Sequence, residues 1–154
     1  MSSHNAQNDM AAEVVPRLRP RLYFAHPIGT YGSRAETEAL TIINQRFAGY
    51  DIINPGDVHH VANGTGNFDY YRALVEGAEA LIYLPFADGK IGAGIAGEVR
   101  TMRKKHGQIY ELKVNREGQP TGQVMAIESD LDSQRVLSRE KTGERNKAAS
   151  GRSV

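Results

Sequence analysis

The run Ala80-Leu81-Ile82-Tyr83-Leu84 constrains the fold of this chain more than any other segment. An unbroken apolar run without polar alternation describes a strand covered on both faces, as parallel sheets demand. After Pro85 comes a glycine-dense stretch, Asp88-Gly89-Lys90-Ile91-Gly92-Ala93-Gly94-Ile95-Ala96-Gly97-Glu98, whose second half enters a helix lasting to about His106 and ended by Gly107. The rest of the core keeps this alternation. Residues 22–25 form a short apolar strand, and the capping box Ser33-x-x-Glu36 opens a helix to about Ala48. Within that helix Leu40, Ile43 and Phe47 recur at helical spacing. Residues 50–53 are a second strand stopped by Asn54-Pro55-Gly56, and residues 68–78 are a helix. Residues 108–112 and 123–127 are further strands, and a short last helix starts near Ser138. Strands alternating with helices predict an α/β, flavodoxin/Rossmann-like parallel sheet of about five strands, order 2-1-3-4-5, with helices on both faces.

A length of 154 residues suits one domain, expected at residues 20–141. A polar lead-in, residues 1–19, precedes it, and a flexible basic tail, residues 142–154, follows. A net charge of +1 gives no argument for a nucleic-acid or membrane partner. Cysteine is absent, which excludes disulfides and thiolate chemistry. No run is apolar enough to span a bilayer, and residues 1–15 lack the apolar core of a signal peptide. The expectation is a soluble cytoplasmic protein.

In the 2-1-3-4-5 order, ligands bind beyond the strand ends where the order reverses, between the first and third strands. The segments leaving those strands are the most glycine- and turn-rich of the core. They offer Ala25, His26, Pro27, Ile28 and Gly29 on one side of a crevice, and Asp88, Gly92 and Gly94 on the other. Glu98 follows the second segment, where a carboxylate serves as nucleophile or base, or simply complements the helix dipole. Tyr23 ends the first strand as a core aromatic or as a phenol holding a carboxylate. Asp69 and Tyr71 open the next helix, Asp69 being a candidate general acid or an ordinary first-turn acid. Gly29, Ser33 and Arg34 bring amide, hydroxyl and guanidinium toward a helix start, as a phosphate needs, without forming a Walker-type loop. Asp57, His59 and His60 lack a further ligand at fixed spacing and read as a solvated loop, so no metal site is expected.

Three of these segments resemble the nucleoside 2-deoxyribosyltransferase superfamily, which includes nucleoside 5′-monophosphate N-glycosidases. They are Leu22-Tyr23-Phe24-Ala25 with Pro27-Ile28, the stretch from Tyr71 through Ala78-Glu79-Ala80-Leu81-Ile82, and Gly92-Ala93-Gly94-Ile95-Ala96-Gly97-Glu98. The resemblance implies that Glu98 attacks the anomeric carbon of a nucleoside or nucleotide and forms a covalent sugar ester, with Tyr23 orienting the carboxylate. It also implies an acid near the second helix assisting the leaving base, no cofactor, and a homo-oligomer whose neighbours complete one another's sites. Two positions depart from the family pattern: Tyr71 stands where an Asp is usual, and Gly92 where a Ser or Asp is usual. Asp69 is the substitute for the first, Asp88 or Lys90 for the second. Other readings are a non-catalytic nucleotide-binding module, and a phosphoribohydrolase of the cytokinin-activating type, whose fuller P-G-G-x-G-T-x-x-E motif this chain lacks.

Overall fold

The computed structural model describes residues 19–58 and 68–152. The lead-in to residue 18, His59 and His60, and Ser153 and Val154 lie outside the described residues. Five strands form one sheet: β1 (Arg21–Ala25), β2 (Asp51–Ile53), β3 (Ala80–Tyr83), β4 (Gln108–Val114) and β5 (Pro120–Ala126). Their order is β2-β1-β3-β4-β5, the order read from the alternation. The helices are α1 (Arg34–Arg46), α2 (Phe68–Glu76), α3 (Ala93–Lys104) and α4 (Arg139–Arg152).

Strand alternation divides the interior in two, because successive side chains point to opposite faces. Tyr23, Ala25, Leu81, Tyr83 and Ile109 face Val75, Ile95, Ala96, Val99 and Met102, the buried residues beside and along α2 and α3. Leu22, Phe24, Ala80, Ile82 and Leu84 face Ala39 and Ile43 of α1. Every residue of β3 is buried, as its unbroken apolar run requires. Parallel register sets Tyr23 of β1 beside Leu81 of β3, so the loops leaving both strands emerge together.

The capping box forms as read. Ser33 Oγ accepts from the Glu36 amide at 3.2 Å, and Glu36 reaches back to accept from the Gly32 amide at 3.0 Å. Gly32 sits at φ 76°, the left-handed region that a residue with a Cβ enters only with strain.

Two expectations are corrected. The fifth strand runs antiparallel to β4, not parallel. A parallel return needs a crossover of about a dozen residues or more, and the chain turns at once. Asn115 Oδ1 accepts from the amides of Glu117 and Gln119 at 3.0 and 2.9 Å, and Gly118 takes φ 82°, closing a tight hairpin. The second correction concerns residues 142–154, expected as a loose tail: through Arg152 they continue α4, which packs against the turn at Ile28–Thr30. Among the described residues no helix is long and apolar enough to cross a membrane.

Candidate active site at the sheet switch point

Glu98 is placed by the phase of α3. Ile95, Val99 and Met102 make the buried stripe of that helix, and Glu98, one turn beyond Ile95, lies on its edge toward β1. There Tyr23 Oη donates to Glu98 Oε2 at 2.6 Å, joining residues from the two strand–loop units that flank the switch point. The residue as a whole is half-buried, while its carboxyl group is enclosed by protein. Loss of water pushes its pKa up to about 7, against the opposing effect of the Tyr23 hydroxyl. Burial, and then the Glu98 charge, raise the Tyr23 phenol far above its ordinary range, so it is a permanent donor.

Two further phenols feel the same carboxylate. Tyr31 and Tyr71 are both raised by burial first and by Glu98 second. Tyr71 comes from the first turn of α2 and meets Tyr70 edge-on at 5.7 Å. Tyr31 leans on the His26 ring at 4.8 Å. His26 is buried and stacked on Phe24, its Nδ1 3.0 Å from the Phe24 carbonyl oxygen and its Nε2 2.7 Å from Glu36 Oε2. The hydrogen bond to His26 is the main reason the Glu36 carboxyl lies below the usual range. Glu36 therefore anchors the loop after β1 through His26 and the Gly32 amide, and Tyr31 of that loop lies within the electrostatic reach of Glu98.

The other expected site residues are placed differently. The Asp69 side chain is 89 % exposed and makes a loose 3.7 Å pair with Arg72, whereas Tyr71 is half-buried and feels the charge of Glu98. Arg34 does not converge with Gly29: its side chain is 84 % exposed and pairs with Glu38 along α1 at 3.2 Å. The Ser33 hydroxyl is consumed by capping and by donating to the Thr30 carbonyl. Ala25 and Pro27 are buried, while Ile28 is 46 % exposed. Gly94 faces open space, whereas a Cβ on Gly92 would sit 3.1 Å from Thr142 Cγ2.

That Thr142 contact belongs to a set in which α4 crosses both lips of the crevice. Thr142 Oγ1 accepts from the Ala93 amide at 2.9 Å, and Asn146 Oδ1 accepts from the Gly29 amide at 3.1 Å. Arg145 donates to both oxygens of Asp88 at 2.8 Å and lies over the Phe86 ring. The guanidinium holds the Asp88 carboxyl down at about 2. The Gly29 amide that the sequence offered to a phosphate thus already has a partner on α4, as does the amide of Ala93. Thr142, Arg145, Asn146 and Ala149 recur at i, i+3, i+4 and i+7, a stripe that could have been read as a docking face; its polar character hid it.

A second buried carboxylate supports the glycine loop from behind. Glu111 on β4 accepts from Tyr83 Oη at 2.7 Å and from both terminal nitrogens of Arg135 at 3.1 and 2.9 Å. Arg135 also donates to the Gly89 carbonyl at 2.9 Å, and the Ile91 amide donates to the Arg135 carbonyl at 2.7 Å. Burial opposes ionisation of Glu111, but the hydrogen bonds from Arg135 and Tyr83 outweigh it and hold the carboxyl below its usual range. Among the described residues no group of three His, Asp or Glu side chains is placed to hold a metal ion.

No protein-family model matches this chain, no curated protein does, and no solved structure does. Chemistry in this crevice must therefore be argued from its own groups. They are one carboxyl poised near neutrality, one phenol bonded to it, and two more phenols within its field.

Proposed function

We infer that this chain cleaves the N-glycosidic bond of a (deoxy)nucleoside or nucleoside 5′-monophosphate through Glu98, and passes the sugar to another base or to water. The nucleoside 2-deoxyribosyltransferase superfamily, which the sequence resembles, works in this way. The observation that carries the reading is the 2.6 Å bond from Tyr23 to Glu98 at the switch point of the sheet. Breaking the bond between C1′ and a base nitrogen builds positive charge on the sugar, which a facing anion stabilises more in the transition state than before it.

In the first step a Glu98 oxygen bonds to C1′ while the C1′–N bond breaks. The electron pair leaves with the base, which takes up a proton. In the second, water or another base attacks C1′, gives up its proton to the group that protonated the leaving base, and the carboxylate departs. Tyr23 holds Oε2, which leaves Oε1 to attack. Tyr71, whose phenol is kept protonated, is the candidate donor to the leaving base in place of the exposed Asp69. A carboxyl near 7 is partly ionised at neutral pH, so a fraction of the protein carries the anion that attacks C1′.

A panel of nucleosides and nucleoside 5′-monophosphates, with free base read by chromatography, tests the reading. Glu98→Gln is expected to lose base release by on the order of a thousandfold or more with the fold intact. Unchanged turnover in that variant ends the proposal. The exposure of Asp69 favours one alternative, a nucleotide-binding module without chemistry. Tight binding by calorimetry with no base released by the unmodified chain would select it.

A further inference from the structure

We propose that α4 is a reversible strap over the crevice, and that its release governs access to Glu98. This goes beyond the glycosidic reading and stands on geometry that holds whatever the crevice binds. One face of α4 makes the contacts, and they fall on both lips. Asn146 and Ala149 meet Gly29 in the loop after β1, while Thr142 and Arg145 meet Ala93 and Asp88 in the loop after β3. Glu98 lies on α3 little more than one turn beyond Ala93, and Tyr31 follows Gly29 by two residues. A helix fastened at these points bridges the opening between them.

The fastening is of a kind that opens. None of residues 139–149 is buried, so no apolar side chain anchors α4 in either core. The Asp88–Arg145 pair is part-exposed on both sides, at 48 % and 37 %. Gly143 and Gly151 further weaken the helix, because glycine gains backbone freedom on release. β1 and β3, by contrast, are almost wholly buried and paired along their length. Local opening draws on segments with few buried apolar contacts, and α4 is such a segment.

Carboxyl labelling tests the strap without any assumption about substrate. A water-soluble carbodiimide with glycine amide modifies accessible carboxyl groups, and mass spectrometry reads each site. Removing the three fastenings together, by Thr142→Val, Arg145→Ala and Asn146→Ala, is expected to speed labelling of Glu98 by about tenfold or more while Glu111 stays slow. Equal Glu98 rates in the two proteins overturn the proposal. Native-state hydrogen exchange on the unmodified chain gives a second arm that needs no variant. The amides of α4, with those of Gly29 and Ala93, should exchange well before those of β1 and β3. Exchange of α4 only together with the sheet would equally overturn it.

Discussion

Glu98 illustrates how a carboxyl enclosed by protein can work against stability. Its pKa rises from the ordinary 4.5 to about 7, and at about 1.4 kcal/mol per unit this amounts to roughly 3 kcal/mol of disfavoured ionisation. Because the folded value is the higher one, the stabilising contribution of the neutral carboxyl is complete below pH 4.5 and is lost as pH rises through about 7. Glu98→Gln removes this slope and keeps a group able to accept from Tyr23. That variant is expected to be the more stable protein at pH 8, by up to about 3 kcal/mol, and to show no advantage at pH 4. Urea unfolding at the two pH values measures it, and parallel pH profiles would contradict it. The Tyr23 hydroxyl lowers the Glu98 pKa, so Tyr23→Phe should shift the acid limb of any Glu98-dependent activity to higher pH. A pH–rate profile reads this, and an unmoved limb would mean that the bond does not tune the carboxyl.

Among the elements, α3 is the most legible from sequence and the most exacting in space. Its apolar stripe, its glycine-dense entrance and its end at Gly107 could all be read from residue spacing. Gly107 has a reason beyond termination, since a Cβ there would lie 2.0 Å from Met102 Sδ and 2.9 Å from the Glu79 carbonyl oxygen. Gly107→Ala is therefore expected to destabilise the protein by about 1–3 kcal/mol, as overpacking does, measured as a drop in Tm. An unchanged Tm would show that Met102 gives way freely. The pairing of Tyr23 with Glu98 is implied by the family resemblance, whereas the residues alone leave Tyr23 either a core aromatic or a phenol holding a carboxylate. What escaped the sequence has a common physical character. Tyr31 lies in a turn with no periodicity to mark it, and Arg135 reaches Glu111 across 24 positions of chain. The polar stripe of α4 resembles a solvated face, because hydrophobic periodicity detects cores and not polar docking. Asp69 misled for the opposite reason: a first-turn acid looks alike whether it serves a helix dipole or a substrate. The direction of β5 depends on the turn that Asn115 and Gly118 close, which no hydrophobic periodicity marks.

At the scale of the whole molecule, the sheet is held at its far side by a charge that the core cannot afford to leave alone. Arg135 joins Glu111 to the glycine loop, so deleting the guanidinium leaves that buried carboxylate only the Tyr83 hydroxyl and, at 3.6 Å, the Lys113 ammonium. Arg135→Ala is expected to cost about 3 kcal/mol, whereas Glu111→Gln, which removes the charge and leaves the shape, should cost less. Chemical denaturation of both variants checks the order, and a reversed order would mean that loop contacts outweigh the stranded charge. The folded value of Glu111 is depressed, so its contribution is present above the unfolded pKa and fades as pH falls through the lower folded one. This is the reverse of Glu98. The division of the interior also bears on how such a protein can change over time. Leu22 and Ile43 lie in a layer that contains neither Tyr23 nor the α3 stripe, so substitutions there act mainly on melting, whereas Phe24 in the same layer carries the His26 ring and through it Tyr31. On the opposite side Tyr23 packs among the same residues that seat α3, and a repacked methyl group moves the carboxyl with it. The layer around Tyr23 is thus the one that must hold its shape most closely for whatever chemistry the crevice hosts.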